Sequence, residues 1–219
     1  MILGIYGAGG LGREVLELAT QIKQWKEIIF IDDHREVDTL RGNIEVLTFD
    51  EMKGKYSVEN IVLTIAVGEP STRELVCHKV RQAGYQLATL VHPGVHISKT
   101  TILDDGVIIG ANTIVSCDVH IGCNTFIQNS VSIGHDTIIG QHSVVSAFDA
   151  IAGACAIGDR TYIGMSVPVK EKISIGSDTI VGMGSVVVRD IPDNVIAMGN
   201  PARPMKHKDG SRVFNSSKG

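Results

Sequence analysis

The chain has 219 residues, a formal charge of −4 and no run of lysine or arginine, so it offers no electrostatic footprint for nucleic acid or an anionic membrane surface. Its hydrophobic share is 43% but its aromatic share only 5%, which points to a narrow core of aliphatic side chains rather than large rings. No basic segment precedes the first strand, no apolar stretch reaches the length of a membrane span, and Cys77, Cys117, Cys123 and Cys155 show no C-x-x-C spacing. A cytoplasmic protein with reduced thiols, no bound metal, no membrane insertion and small-molecule partners is expected.

Residues 2–6 read as a buried strand. Gly7-Ala8-Gly9-Gly10-Leu11-Gly12 follows, a G-x-G-x-x-G, and then a helix over about 13–23. A second apolar strand at 28–31 ends in Asp32-Asp33, the distance at which an acid meets a ribose in dinucleotide-binding folds. A third strand at 61–67 leads through Gly68-Glu69-Pro70 into a helix over about 71–83, and a strand near 87–91 ends at His92-Pro93. The pattern is that of a Rossmann-like βαβ half-domain over residues 1–92. A glycine turn lets backbone amides approach a diphosphate, and the helix start lends partial positive charge to it. Three readings stand for this loop: NAD, glycines serving only a tight turn, or a sugar nucleotide or free sugar docked by Gly9, Gly10, Gly12, Asp32, Asp33 and Gly68. NAD fits least, because the rest of the chain leaves no second mononucleotide half for hydride chemistry.

From residue 97 to 187 every sixth residue is aliphatic, from Ile97, Leu103 and Ile109 through to Val181 and Val187, without one insertion. Glycines often follow directly, as at Gly110, Gly122, Gly134 and Gly140, where they are expected to relieve crowding at corners. Small or β-branched residues usually stand two positions before, as at Thr125, Thr137, Ser143 and Thr161. A period of six fits neither helix nor plain alternation; it fits a short strand plus a corner, three times per turn, so one coil takes 18 residues. Asp149 puts a carboxylate where the frame elsewhere has a small residue, and is either functional or turned outward.

This frame resembles that of the hexapeptide-repeat acyltransferases, which implies a left-handed parallel β-helix over residues 93–205, assembly as a homotrimer, and acyl-CoA bound between neighbouring prisms. With Gly7-Ala8-Gly9-Gly10-Leu11-Gly12-Arg13-Glu14, His92-Pro93, Ile133-Gly134-His135-Asp136 and Gly199-Asn200-Pro201-Ala202, the whole chain resembles the sialic acid O-acetyltransferase family, which includes bacterial nucleotide-aminosugar N-acetyltransferases of the bacillosamine type. Acetyl-CoA is the donor that the resemblance implies. The polar stretch 206–219 reads as a flexible tail.

Acetyl transfer needs a group that takes the acceptor's proton as the thioester is attacked, and histidine titrates in the right range. His135 is the candidate general base, as the histidine of the H-D pair is in the resembling family, and one coil further on stands Gly153, which leaves space beside the imidazole. Asp136 is expected to orient that imidazole if the corner bends the pair together, and is otherwise a solvated carboxylate. The 18-residue step also aligns Ala147, Met165 and Met183 along another corner. By resemblance Gly153, Met165 and Met183 line the acetyl-CoA cleft and Arg203 meets its phosphates, while the alternative for the methionines is adaptable surface packing. Three departures from the family stand out: Val144 where a second histidine is common, with His142 two residues earlier, Leu11 in place of a loop histidine, and Gln128 in place of asparagine.

The expected function is acetylation of the amino group of a nucleotide-linked amino-deoxy sugar in making a surface glycan. O-acetylation of sialic acid or a related sugar is the alternative within the class. Outside it stand a non-catalytic sugar-nucleotide-binding scaffold and a zinc-dependent lyase of the carbonic anhydrase type, for which His120, His135 and His142 have the wrong spacing.

Overall fold

Ile2–Tyr6 (β1) is an inner strand of a four-stranded parallel sheet in the computed structural model, which describes residues 1–34 and 44–214. Its neighbours are Glu27–Ile31 (β2) and Ile61–Ile65 (β4), with Val46–Leu47 (β3) beyond β2. The helix Gly10–Ile22 (α1) starts earlier than its apolar pattern suggests, because Gly12 lacks a Cβ that would run into the Gly7 carbonyl. A further helix, Phe49–Lys55 (α2), is legible only through its start: Thr48 and Glu51 form a reciprocal capping box. Pro70–Gln82 (α3) follows β4. Since β1 lies between β2 and β4, the glycine loop and the Gly68 loop meet at the point where the strand order reverses, the usual ligand crevice of open α/β sheets.

The stretch expected as one strand at 87–91 divides. Leu87 bridges to Leu63 in the first sheet, while Leu90–Val91 (β5) already pairs with Ile108–Ile109 as the first rung of the β-helix. From there two-residue strands stack in three parallel sheets with an 18-residue register, as in Phe126↔Val144, Ser132↔Ala150 and Ile138↔Ala156, giving a left-handed prism. The frame residues from Ile109 to Val187 are buried along its axis, each worth about 1.5–3 kcal/mol of apolar burial. The register holds to Val187; the last coil then shortens to 16 residues, with Ile175 opposite Ile191 and Val181 opposite Ala197.

The glycines after the frame residues have another job than the one their position suggests. The corners turn three residues after each frame residue, where Asn112, Asp118, Asn124, Ser130, Asp136 and their successors to Asp178 all carry a positive φ, and none of these is glycine. The glycines instead allow coils to stack: a Cβ at Gly122 would stand 2.7 Å from the amide nitrogen of Gln141 in the next coil. The small residues before the frame have a polar role as well. Thr125, Thr137, Ser143 and Thr161, all fully buried, donate their hydroxyls to the carbonyls of Gly140, Ala152, Gly158 and Gly176.

The N-terminal unit covers one face of this prism. Leu90, Ile108, Phe126 and Val144 point outward from that face into a core shared with Val15, Leu18 and Ala19 of α1. Arg73 of α3, fully buried, donates to the Asn124 carbonyl and side-chain oxygens on the prism and to the carbonyls of Ile65 and Val67. Burial drives its guanidinium down to about 9, so the group still carries its charge at neutral pH. Residues 206–214, expected to be flexible, are instead placed: Arg203–His207 pairs antiparallel with Val195–Met198, and the amides of Val213 and Phe214 donate to Glu69. The rest of that expected tail, 215–219, lies outside the described residues.

Asp149 is neither solvated nor turned outward. It is 1% exposed inside the prism, its Oδ1 accepting the Val167 amide at 2.7 Å, while its Oδ2 and the Ser146 hydroxyl have no partner among the described residues. Burial pushes the Asp149 carboxyl up to about 8, against the lowering effect of the Val167 and Ser146 amides. An unfolded aspartate ionises near pH 4, so between about pH 4 and 8 the folded chain holds a proton that the unfolded chain has lost, and stability falls as pH rises through that window. Asp149→Asn removes this dependence: its thermal midpoint relative to wild type is expected to rise by about 5 °C or more from pH 5 to pH 8, and parallel midpoints would contradict it.

Candidate active site

His135 and Asp136 follow the strand Ser132–Ile133 at one prism corner. The positive φ of 57° at Asp136 bends the pair to one side, and His135 Nδ1 meets Asp136 Oδ2 at 2.6 Å. The condition placed on this pair by its sequence is therefore met. Asp136 lies on the Nδ1 side, which leaves Nε2 as the ring nitrogen turned away from the carboxylate, on a side chain that is 61% exposed. Gly153 lies beside it, where a Cβ would stand 2.6 Å from Nε2. The column beneath His135 contains Cys117, whose carbonyl accepts the Asp136 amide.

Met165 and Met183, 40% and 72% exposed, share a column with Asn129 and Ala147 on a different corner, the one next to the face covered by the N-terminal unit. A cleft of about 510 Å³ opens there between α1 and the prism, lined among others by Glu14, Glu17, Gln21, His92, Gln128 and Met165. Arg203 faces Met198 across a strand pair, and Met198 in turn lies over Gly182 beside Met183, so Arg203 sits past the end of the methionine column. Within one chain, His135 and the methionine column thus occupy separate edges.

In the glycine loop the fold itself requires Gly7, at φ 110°, and Gly12, whereas nothing stands within 4 Å of a Cβ built at Gly9, and only the end of Arg13 approaches one at Gly10. α1 starts with no side-chain cap, which leaves room for an anionic group at its N-terminus. Asp32 holds the loop by accepting the Ala8 amide at 2.9 Å and the His34 amide at 3.0 Å. Asp33 points to the other side, accepting from Tyr6 Oη, Lys79 Nζ and the Phe49 amide. Burial would raise its carboxyl, but those three donors outweigh it and hold it at about 2; burial and Asp33 together raise the Tyr6 hydroxyl to about 12. Asp33 ties β2 to α2 and α3, and Gly68 lies beneath the Phe214 ring.

His142 occupies a third corner, away from His135. It is buried, its Nδ1 accepting from Asn124 Nδ2 at 3.0 Å, and burial lowers it to about 4, so it stays neutral and braces the Arg73 contact. Val144 is buried beneath the N-terminal unit. Among the described residues no three histidine, cysteine or acidic side chains are grouped to hold a metal ion. Glu14, Glu17 and Gln21 are cleft residues that sequence reasoning passed over. Their spacing at one face of an amphipathic helix is a signal for them, but one that every solvated helix face shares.

A left-handed prism with an exposed His-Asp pair at one corner and a Rossmann-like half-domain against one face is the architecture expected from the sequence. Residues 3–80 match the family described as the PglD N-terminal domain. Among curated proteins no sequence match reaches significance. Solved structures match over nearly the full length. The acetyltransferase domain of PglB from Neisseria gonorrhoeae, in complex with acetyl coenzyme A, is 28% identical with a TM-score of 0.88, covering 93% of this chain and 98% of that one. PerB from Caulobacter crescentus, in complex with CoA and GDP-perosamine, is 28% identical with a TM-score of 0.86, covering 94% and 98%. WeeI from Acinetobacter baumannii is 29% identical with a TM-score of 0.87, covering 94% and 100%. The chain is thus similar to these sugar acetyltransferases over nearly its whole length, and within it residues 3–80 match the PglD N-terminal domain.

Gly153 lies outside the left-handed region, and the three atoms nearest to a Cβ placed there all belong to the His135 imidazole. Gly153→Ala is expected to shift the His135 Cε1–H resonance while the thermal midpoint moves by only about 4 °C or less. An unchanged His135 resonance would show that the two residues do not touch.

Proposed function

We propose that the protein transfers an acetyl group from acetyl-CoA to the amino group of a nucleotide-linked amino-deoxy sugar in surface glycan biosynthesis, with His135 as general base and Asp136 orienting it. The observation that carries this reading is the imidazole held by Asp136 through Nδ1, with Nε2 free to face a reacting group beside Gly153. The PglB domain solved with acetyl coenzyme A, and the perosamine N-acetyltransferase solved with CoA and GDP-perosamine, support both the donor and the acceptor class.

In this mechanism the neutral amine attacks the thioester carbonyl carbon while His135 Nε2 takes a proton from the attacking nitrogen. The tetrahedral intermediate collapses, the C–S bond breaks, and the proton on Nε2 passes to the departing CoA sulfur, leaving an amide, free CoA and a neutral imidazole. Asp136 favours the imidazolium that forms in between. The open glycines Gly9 and Gly10 and the start of α1 receive the acceptor's diphosphate, with Gly12 letting the helix approach and Asp32 holding the loop. The cleft between α1 and the prism receives the sugar, and Met165, Met183 and Arg203 line the donor's path.

Since His135 and the methionine column lie on different edges of one prism, a complete site needs a neighbour, which supports a homotrimer in which each His135 faces the groove of the next subunit. Light scattering is expected to give three chains per particle, and a monomer would sink the shared site. Free-thiol release from acetyl-CoA should occur with one of the UDP-, dTDP- or GDP-linked 4-amino sugars. His135→Ala should lower that turnover at least roughly a hundredfold. Turnover on sialic acid alone would shift the reading to O-acetylation.

A further inference from the structure

Beyond the strand Arg203–His207 the chain turns back across the prism edge towards the N-terminal unit. Glu69, only 7% exposed, stands at the start of α3 without capping it; its carboxylate accepts the amides of Val213 at 2.8 Å and Phe214 at 3.3 Å, across 144 residues of sequence. The Phe214 ring packs edge-on against Tyr162, with centroids 5.8 Å apart, and covers Gly68, where a Cβ would stand 3.0 Å from it. Phe214 is nevertheless 53% exposed. Between this segment and the methionine column lies a groove of about 380 Å³, lined among others by Tyr162, Met165, Met183, Arg212 and Phe214.

Besides the neighbouring prism of the proposed trimer, the returning segment gives the methionine column a wall from its own chain, placing an aromatic ring and an exposed guanidinium in one groove with two polarizable methionines. That combination suits a long, thin, partly apolar arm ending in a diphosphate. We infer that residues 212–214 form the outer wall of the acyl-CoA groove, Phe214 packing on the pantetheine arm and Arg212 meeting the diphosphate; this rests on the proposed use of acetyl-CoA. Glu69 is a positioning residue: it holds the wall in place through two amides while staying outside the groove's lining.

Calorimetric titration of the full-length protein with CoA tests the wall directly, without turnover. Phe214→Ala and Arg212→Ala are each expected to raise the CoA Kd about tenfold, or about 1.4 kcal/mol, with thermal midpoints near that of wild type. Glu69→Ala, which releases the whole wall, should weaken CoA binding at least as much as Phe214→Ala, and Arg212→Ala, unlike Phe214→Ala, should flatten the weakening of CoA binding by salt. Wild-type CoA affinity retained in both Phe214→Ala and Arg212→Ala overturns the inference and leaves the proposed function standing. Failure of the wild-type protein to bind CoA at all overturns the acetyl-CoA reading itself, and the wall with it. Exposed Arg212 keeps the test decisive should Phe214→Ala lose its fold.

Discussion

Everything in this protein hangs on coils of constant length. Because each coil takes 18 residues until Val187, equivalent positions stack into columns, and a side chain's neighbours above and below are set by counting. Three chemical conditions maintain that length. Corner residues such as Asn112, Asn124 and Asp136 accept a left-handed backbone, glycines such as Gly122 and Gly134 let consecutive coils approach, and buried hydroxyls such as Thr125 and Thr137 answer the carbonyl of the next coil. The same corner geometry that keeps the prism regular brings His135 and Asp136 together, so the candidate catalytic pair is a by-product of the repeat rather than an interruption of it.

The N-terminal unit gives this regular object a direction. By burying one face under α1 and α3, it leaves two faces open and makes the three corners unequal. One corner, with Asn124 and His142, becomes structural, held by the buried Arg73 and a histidine kept neutral by its surroundings. A second carries Met165 and Met183 beside the α1 cleft. The third, bearing His135, remains clear of the domain. His135 and the methionine column therefore stay on separate edges, since no rearrangement within one rigid prism brings these corners together.

Two acidic residues show how differently the fold uses similar groups. Asp33 has donors on every side and stays ionised, tying strand to helix, whereas Asp149 sits among aliphatic side chains with one oxygen unanswered and holds its proton to about pH 8. Glu69 represents a third case, a nearly buried carboxylate that reaches across the whole chain to fasten the C-terminal segment. Each is explained by the donors it meets, and none by its residue type.

The sequence by itself determined the parts of this protein that depend on local repetition. The six-residue frame set the prism and its 18-residue step, and counting along it placed Gly153 beside His135 and aligned Met165 with Met183. The glycine loop likewise announced a parallel α/β sheet. Only tertiary structure decided what depends on residues far apart in the chain. It decided that Asp136 bends onto His135, that Asp149 turns inward, that Asp33 serves the fold, and that Phe214 returns to cover Gly68. Short-period patterns carry their own geometry because the same backbone step is repeated. A contact such as Arg73 with Asn124, or Glu69 with Val213, arises only when whole elements dock, and no spacing along the chain encodes it.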